Sequence, residues 1–167
     1  MRRFLVASLL VGAAACARSS AAPAPAPLAS TADSTAVVGT LTRMFDALRT
    51  KDVPAFQAEF HPAARFTLIR PAPGGGDSVR VMVLPLAQFV QAALGPNGNG
   101  VDEPIRRVRV AVDGALAQAW AEYQVRAAGK VSHCGYDAFH LVKQGGAWKV
   151  LNVSDSFRQT GCGELWP

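Results

Sequence analysis

HCGYDAFHLVKQGGAWKVLNVSDSFRQTGC, residues 133–162, reads as two long strands folded back on each other about Gly145-Gly146. Successive strand side chains point to opposite faces, so Asp137, Phe139 and Leu141 share one face of the first arm, Gly135–Lys143. Ala138, His140 and Val142 take the other. The larger apolar groups Phe139 and Leu141 mark the Asp137 face as interior. The second arm, Ala147–Phe157, carries Trp148 into the core and Asp155 near its end, and a hairpin centred on the two glycines brings Asp155 beside Asp137.

Working toward the N-terminus, two more strands precede this hairpin, Ile105–Val112 and Ala115–Arg126, joined by a tight turn at Asp113-Gly114. In the second, Ala117, Ala119, Ala121, Tyr123 and Val125 share a face and are expected to point inward. Earlier still, Leu86, Phe89, Val90, Ala93 and Leu94 form a helix after Pro85, stopped by Gly95-Pro96. A hairpin, Phe66–Arg70 with Val79–Leu84, turns through the exposed loop PAPGGGDS. A short helix runs from Asp52 to His61-Pro62. The first helix, with Asp33 or Ser34 as its cap, buries Val37, Val38, Leu41, Phe45 and Leu48. Three helical segments followed mainly by consecutive long strands make an α+β pattern: helices covering one face of a strongly curved antiparallel sheet.

The chain is 167 residues long, room for one ordinary domain once its N-terminal segment is set aside. Residues 1–15 have the form of a cleavable export signal: Arg2-Arg3, an apolar run from Phe4 to Val11, then Gly12-Ala13-Ala14-Ala15. Small residues ahead of Cys16 resemble the lipobox of bacterial lipoproteins, which makes Cys16 the lipid acceptor. The usual leucine three places before the cysteine is Ala13, and Ala13-Ala14-Ala15 also satisfies an ordinary A-x-A peptidase, so simple secretion is the alternative. Residues 16–32 hold that cysteine and an Ala/Pro-rich tether, which extends by about 3.1 Å per residue where it is rich in proline. The folded domain spans 33–167. Contact with a membrane is expected through the lipid only, on the periplasmic side.

Of the three cysteines, assigning Cys16 to lipid leaves Cys134 and Cys162 as an even pair in an oxidising compartment, where a disulfide is expected. His133-Cys134 has no second Cys or His at zinc-ligand spacing, so no metal is assigned. The formal charge of +5 falls to +3 when Arg2 and Arg3 leave with the leader. Arg106, Arg107 and Arg109 form the one basic cluster, without aromatic stacking residues or a recognition helix, and read as a solvated strand face rather than a nucleic-acid site. No cofactor motif stands out.

The order helix, helix, hairpin, helix, long strands, together with the HCGYDAFHLVKQGGAWKVLNVSDSFRQTGC segment and its GGAWKV turn at Gly145–Val150, resembles the nuclear-transport-factor-2-like superfamily, in its SnoaL-like and lumazine-binding-like bacterial branches. The resemblance covers residues 34–162. It implies a cone-shaped domain with a pocket at its wide end, and little about activity, because similar cones serve as isomerases, cyclases, ligand binders and dimerising adaptors.

The candidate pocket set is Tyr123, Asp137, Phe139, Asp155 and His61. Burial raises a carboxyl's pKa and suits Asp137 to general-base work, with Tyr123 or His61 polarising a carbonyl. The alternative has Asp155 ending its strand in water and Asp137 bonded to backbone or Tyr123. Arg65, Arg70 and Arg80 flank the hairpin and are expected in solvent. Three functions are compatible with this reading: binding of a small, partly apolar ligand or partner, proton abstraction next to a carbonyl by Asp137, and homodimerisation through an exposed sheet face using Trp120 and His140.

Overall fold

The computed structural model describes residues 30–74, 77–96, 101–127 and 129–165. The leader, Cys16 and most of the tether lie outside these residues. The elements run α1 (Thr31–Thr50), α2 (Val53–Ala58), β1 (Phe60–Pro71), β2 (Val79–Pro85), α3 (Leu86–Leu94), β3 (Ile105–Asp113), β4 (Leu116–Ala127), β5 (Lys130–Gln144), β6 (Ala147–Asp155) and α4 (Cys162–Leu165). Six strands form one open sheet in the order β2-β1-β6-β5-β4-β3. Every pairing is antiparallel except β1 with β6, which is parallel. The sheet is therefore mixed, with the N-terminal hairpin attached to the C-terminal meander along that seam. Register shifts interrupt four of the five pairings. Such bulges bend and twist a strand locally, and here they curve the sheet around its helices.

α1 starts earlier than its apolar periodicity suggests. Ser30 is the N-cap, its Oγ accepting from Asp33 N. The expected cap, Asp33, instead sits in the first turn and fastens the helix to the β5–β6 hairpin: its Oδ1 accepts from Lys143 Nζ at 2.7 Å and from Trp148 Nε1 at 3.3 Å. Trp148 thus buries its ring while its one polar atom is satisfied. Val37, Leu41, Met44 and Leu48, one helical stripe, are at most 3% exposed and pack on the concave face. α2 is capped by Asp52, whose side chain accepts from Ala55 N, and it ends at Ala58. His61 and Pro62 belong to β1 rather than to the end of a helix. The register of β1 against β6 breaks between Phe60 and Arg65, the stretch that contains Pro62, which cannot donate to a strand ladder.

An aromatic chain joins α2, β1 and α3. Phe56 and Phe60 lie 4.8 Å apart, Phe60 and Phe66 5.4 Å, and Phe66 stacks on Phe89 at 3.7 Å with the rings 3° from parallel. Across the core, Phe45 of α1 meets Phe139 of β5 edge-on at 6.1 Å.

Alternation along β4 puts Ala117, Ala119, Ala121 and Tyr123 in the interior, each at most 3% exposed. The opposite face is less open than its polar sequence suggests, because Glu122 and Gln124 are buried as well. Arg106 and Arg107 both donate to Glu122, at 2.9 and 3.0 Å. Consecutive strand residues ordinarily face opposite ways; here Arg107 adopts φ 51° within the β3 register shift between Arg106 and Arg109, which brings both guanidinium groups to one carboxylate. These two arginines are held in ion pairs and are not simply a solvated face. Gln124 Nε2 donates to Cys162 O.

Cys134 and Cys162 form a disulfide. Together with paired backbone bonds between Cys134 and Arg158, 3.0 Å each way, it fixes the segment after β6 along β5.

Candidate functional site

Four strands and one loop converge on the interior below the C-terminal segment. Strand register sets the arrangement: Asp137 of β5 lies opposite Asp155 of β6, and Asp155 lies opposite Leu68 of β1. The next residues of β1 then close on it. Ile69 N donates to Asp155 Oδ1 at 3.3 Å, and Arg70 Nη1 donates to the same oxygen at 2.7 Å. Arg70 also donates to Ile69 O and rests its guanidinium 5.0 Å from the Phe157 ring centre.

On β4, Tyr123 pairs with Gly135 of β5. A side chain at 135 would overlap the Ser156 carbonyl oxygen and lie 2.8 Å from Tyr123 Cε1. Glycine there lets the phenol ring lie against the strand and its hydroxyl donate to Ser156 O at 2.7 Å. Glu103 comes from the loop before β3. Bonds from Arg126 N to Asp102 O and from Gln124 N to Pro104 O strap that loop to β4 on either side of it. His133 lies between Tyr123 and Phe157, 5.9 and 4.7 Å from their rings.

These groups form one end of a cavity of about 190 Å³. Its remaining walls are apolar: Met44, Phe45 and Leu48 of α1, Phe66, Phe89, and Val153 among them. Asp137 is 2% exposed, and its Oδ2 has no hydrogen-bond partner among the described residues. A buried polar atom left so is uncommon and costs about 1–3 kcal/mol unless something else meets it.

The electrostatics follow from burial. Loss of water, then the charges of Glu103 and Asp155, push the Asp137 carboxyl well above its ordinary value. Burial, then the charge of Asp155, pushes Glu103 up to about 8. The Tyr123 phenol is raised by burial and by the same carboxylates, while burial and Arg70 lower His133 and keep it neutral. Burial opposes the Arg70 charge, but the Asp155 bond outweighs it and holds the guanidinium protonated. The site therefore contains one ion pair, Arg70 with Asp155, beside two carboxyls whose proton affinity is raised, Asp137 and Glu103.

Of the residues singled out from sequence, Asp137, Asp155 and Tyr123 meet at this cavity. Phe139 faces inward but is wholly buried in the core against Phe45, outside the cavity wall. His61 is elsewhere on β1, half-buried, its Nδ1 accepting from Ala63 N. Asp155 is not in water, since its side chain is 14% exposed and ion-paired, and the Tyr123 proton goes to Ser156 rather than to Asp137. Arg70, expected in solvent, is 20% exposed. Arg70 and His133 carried a usable signal: Phe66, Leu68 and Arg70 alternate on one face, as do His133, Gly135 and Asp137. Glu103 carried none, because it lies in the aperiodic stretch NGNGVDEP.

Residues 32–154 match the family described as "Putative lumazine-binding". No curated protein matches the sequence. Among solved structures, a cystatin-like protein of unknown function from Nostoc punctiforme superposes with a TM-score of 0.63 at 13% identity, over 78% of this chain and 95% of that one. A nuclear-transport-factor-2-like protein of unknown function from Shewanella baltica gives 0.57 at 15% identity, over 76% and 94%. A "putative ketosteroid isomerase" from Shewanella frigidimarina gives 0.52 at 16%, over 72% and 94%. Identities this low establish a common fold and leave activity open. With the family match covering most of the domain, the chain belongs to the "Putative lumazine-binding" family, and its mixed, curved sheet packed on N-terminal helices is the fold of the nuclear-transport-factor-2-like structures it resembles.

Proposed function

We propose that this chain is an exported lipoprotein whose domain binds a small molecule with a mainly apolar body. The observation that carries the reading is the cavity itself: apolar walls on one side, a small cluster of polar groups at one end, and a buried Asp137 oxygen that none of the described residues satisfies. Convergent polar groups in an apolar cavity are the usual make-up of a ligand site. The signal-like residues 1–15 and Cys16 support attachment of the binder at the envelope surface through a Pro-rich tether.

Native mass spectrometry of the full chain isolated from the envelope is expected to reveal a bound species of low mass, lost in Ala93→Trp, which fills the cavity from α3. A chain that carries nothing, and whose melting temperature no envelope metabolite raises, would overturn the reading.

A second reading is supported by Asp137 alone: a carboxyl with raised proton affinity on a cavity wall suits abstraction of a proton next to a carbonyl. Tyr123, engaged with Ser156, is spent as an oxyanion donor, and His61 is absent from the cavity, so a protonated Glu103 would take that task. Exchange of ketone α-protons for deuterium, lost in Asp137→Asn, is the outcome this reading requires. On the outer sheet face, Trp120 is 48% exposed and stacks on Tyr136 at 5.2 Å, which supports self-association there; light scattering after size exclusion tests it through Trp120→Glu.

A further inference from the structure

The binding reading leaves open what chemistry the polar end selects, and a census of donors and acceptors narrows it. Acceptors dominate. Asp137, Glu103 and Asp155 all line the cavity, and Asp137 Oδ2 has no donor. Of the donors facing them, Arg70 Nη1 is used by Asp155 and Ile69 O, and the Tyr123 hydroxyl by Ser156 O. His133 is neutral. α1, α2 and α3 bring only apolar side chains to the cavity.

We infer that the cavity takes an organic cation, a protonated primary or secondary amine on a short apolar or aromatic body, with its ammonium against Asp137 and Glu103. This inference rests on the binding reading above and names its ligand class. An anionic ligand would meet a cluster of three carboxyl groups beside one guanidinium already paired with Asp155. A neutral carbonyl brings another acceptor and leaves Asp137 Oδ2 without a donor. An ammonium supplies the donors that Asp137 lacks and replaces the carboxyl protons by a fixed positive charge. The faces of Phe45, Phe66 and Phe89 around it are compatible with a cation and with the ring of its body. Among the described residues, no group of three or more His, Cys, Asp and Glu side chains is placed to hold a metal ion, which points away from a metal cation and toward a larger, hydrogen-bonding one. A volume of about 190 Å³ is roughly that of six waters in the liquid, enough for one six-membered ring and a short chain.

The test is isothermal titration of the full chain at pH 7 with three probes of one shape: 2-phenylethylammonium, 2-phenylethanol and 3-phenylpropanoate. The ammonium is expected to bind about tenfold or more tighter than the alcohol, as a charge-assisted bond to a buried carboxylate would give, with the anion weakest. Repetition in buffers of different ionisation enthalpy is expected to reveal proton release on binding, since the amine displaces the proton that Glu103 holds up to about pH 8. Asp137→Asn and, separately, Glu103→Gln should each collapse the preference for the amine over the alcohol; circular dichroism checks that both variants are folded.

Equal or tighter binding of the alcohol, or a preference that survives both substitutions, overturns the cation inference and leaves the binding function standing. If none of the three probes binds and no endogenous species is carried, the binding function fails and this inference with it.

Discussion

Replacing Glu103 by glutamine should stabilise the protein at alkaline pH and leave it unchanged in acid. An ordinary glutamate releases its proton near 4.5, whereas in the folded chain Glu103 holds it to about 8, chiefly because it is buried and secondly because Asp155 is near. Between those two values the folded chain binds more protons than the unfolded one, so its stability falls as pH rises through that window and levels off above it. At about 1.4 kcal/mol for each tenfold change in proton affinity, the full difference at pH 9 is about 5 kcal/mol. Glu103 keeps partial exposure and shares its field with Asp137 and Asp155, so about 2–3 kcal/mol is the expected net effect. Glutamine keeps the shape and has no proton to lose. Urea unfolding of wild type and Glu103→Gln is expected to give the same midpoint at pH 4 and a variant midpoint higher by about 1 M at pH 9, given m-values of about 1–3 kcal/mol/M. Parallel pH profiles for the two proteins would refute the claim that this carboxyl is forced to keep its proton by the fold.

Reduction of the disulfide, or Cys134→Ser with Cys162→Ser, opens a loop spanning 28 residues and should lower stability by about 3–4 kcal/mol, read as a lower urea midpoint. Arg70→Met leaves Asp155, 14% exposed, without its ion partner and should cost about 2–4 kcal/mol at pH 7; a loss below about 0.5 kcal/mol, typical of a solvated pair, would remove the pair from the site's architecture. Cys16→Ala should move the chain from the membrane fraction to the soluble fraction of cells and abolish labelling by radioactive palmitate. If the wild type incorporates no label, the cysteine is not an acceptor.

The strands were legible because their alternation is strong: Ala117, Ala119, Ala121 and Tyr123, or Asp137, Phe139 and Leu141, cannot be assigned a face without deciding where the core lies. The two-glycine turn brought Asp155 into the Asp137 neighbourhood, but the turn alone pairs Asp137 with Ser154, and the register shift between His140 and Leu141 is what puts Asp155 opposite it. The parallel seam was not legible, because pairing of β1 with β6 depends on no local pattern in either strand. Local turn chemistry also misled. His61-Pro62 is a helix-ending pair, yet the helix stops at Ala58 and His61 lies at the irregular start of β1. Phe139 was correctly turned inward, but alternation gives a direction and not a depth, and the residue lies in the core behind the cavity. Glu103 became a site residue only through the two backbone bonds that strap its loop to β4, contacts between segments some twenty residues apart.

The seam between β1 and β6 governs the order in which the molecule can be made. Arg70 and Asp155 are 85 residues apart, and closing so long a loop costs chain entropy before any contact rewards it. The β1–β2 hairpin and the β3–β4–β5 meander join neighbours and can form early; the wall that holds the ion pair has to wait for the final strand. A chain stopped before β6 therefore holds every helix that lines the cavity and still lacks the cavity, and slow, late closure is the kinetic signature of its polar end.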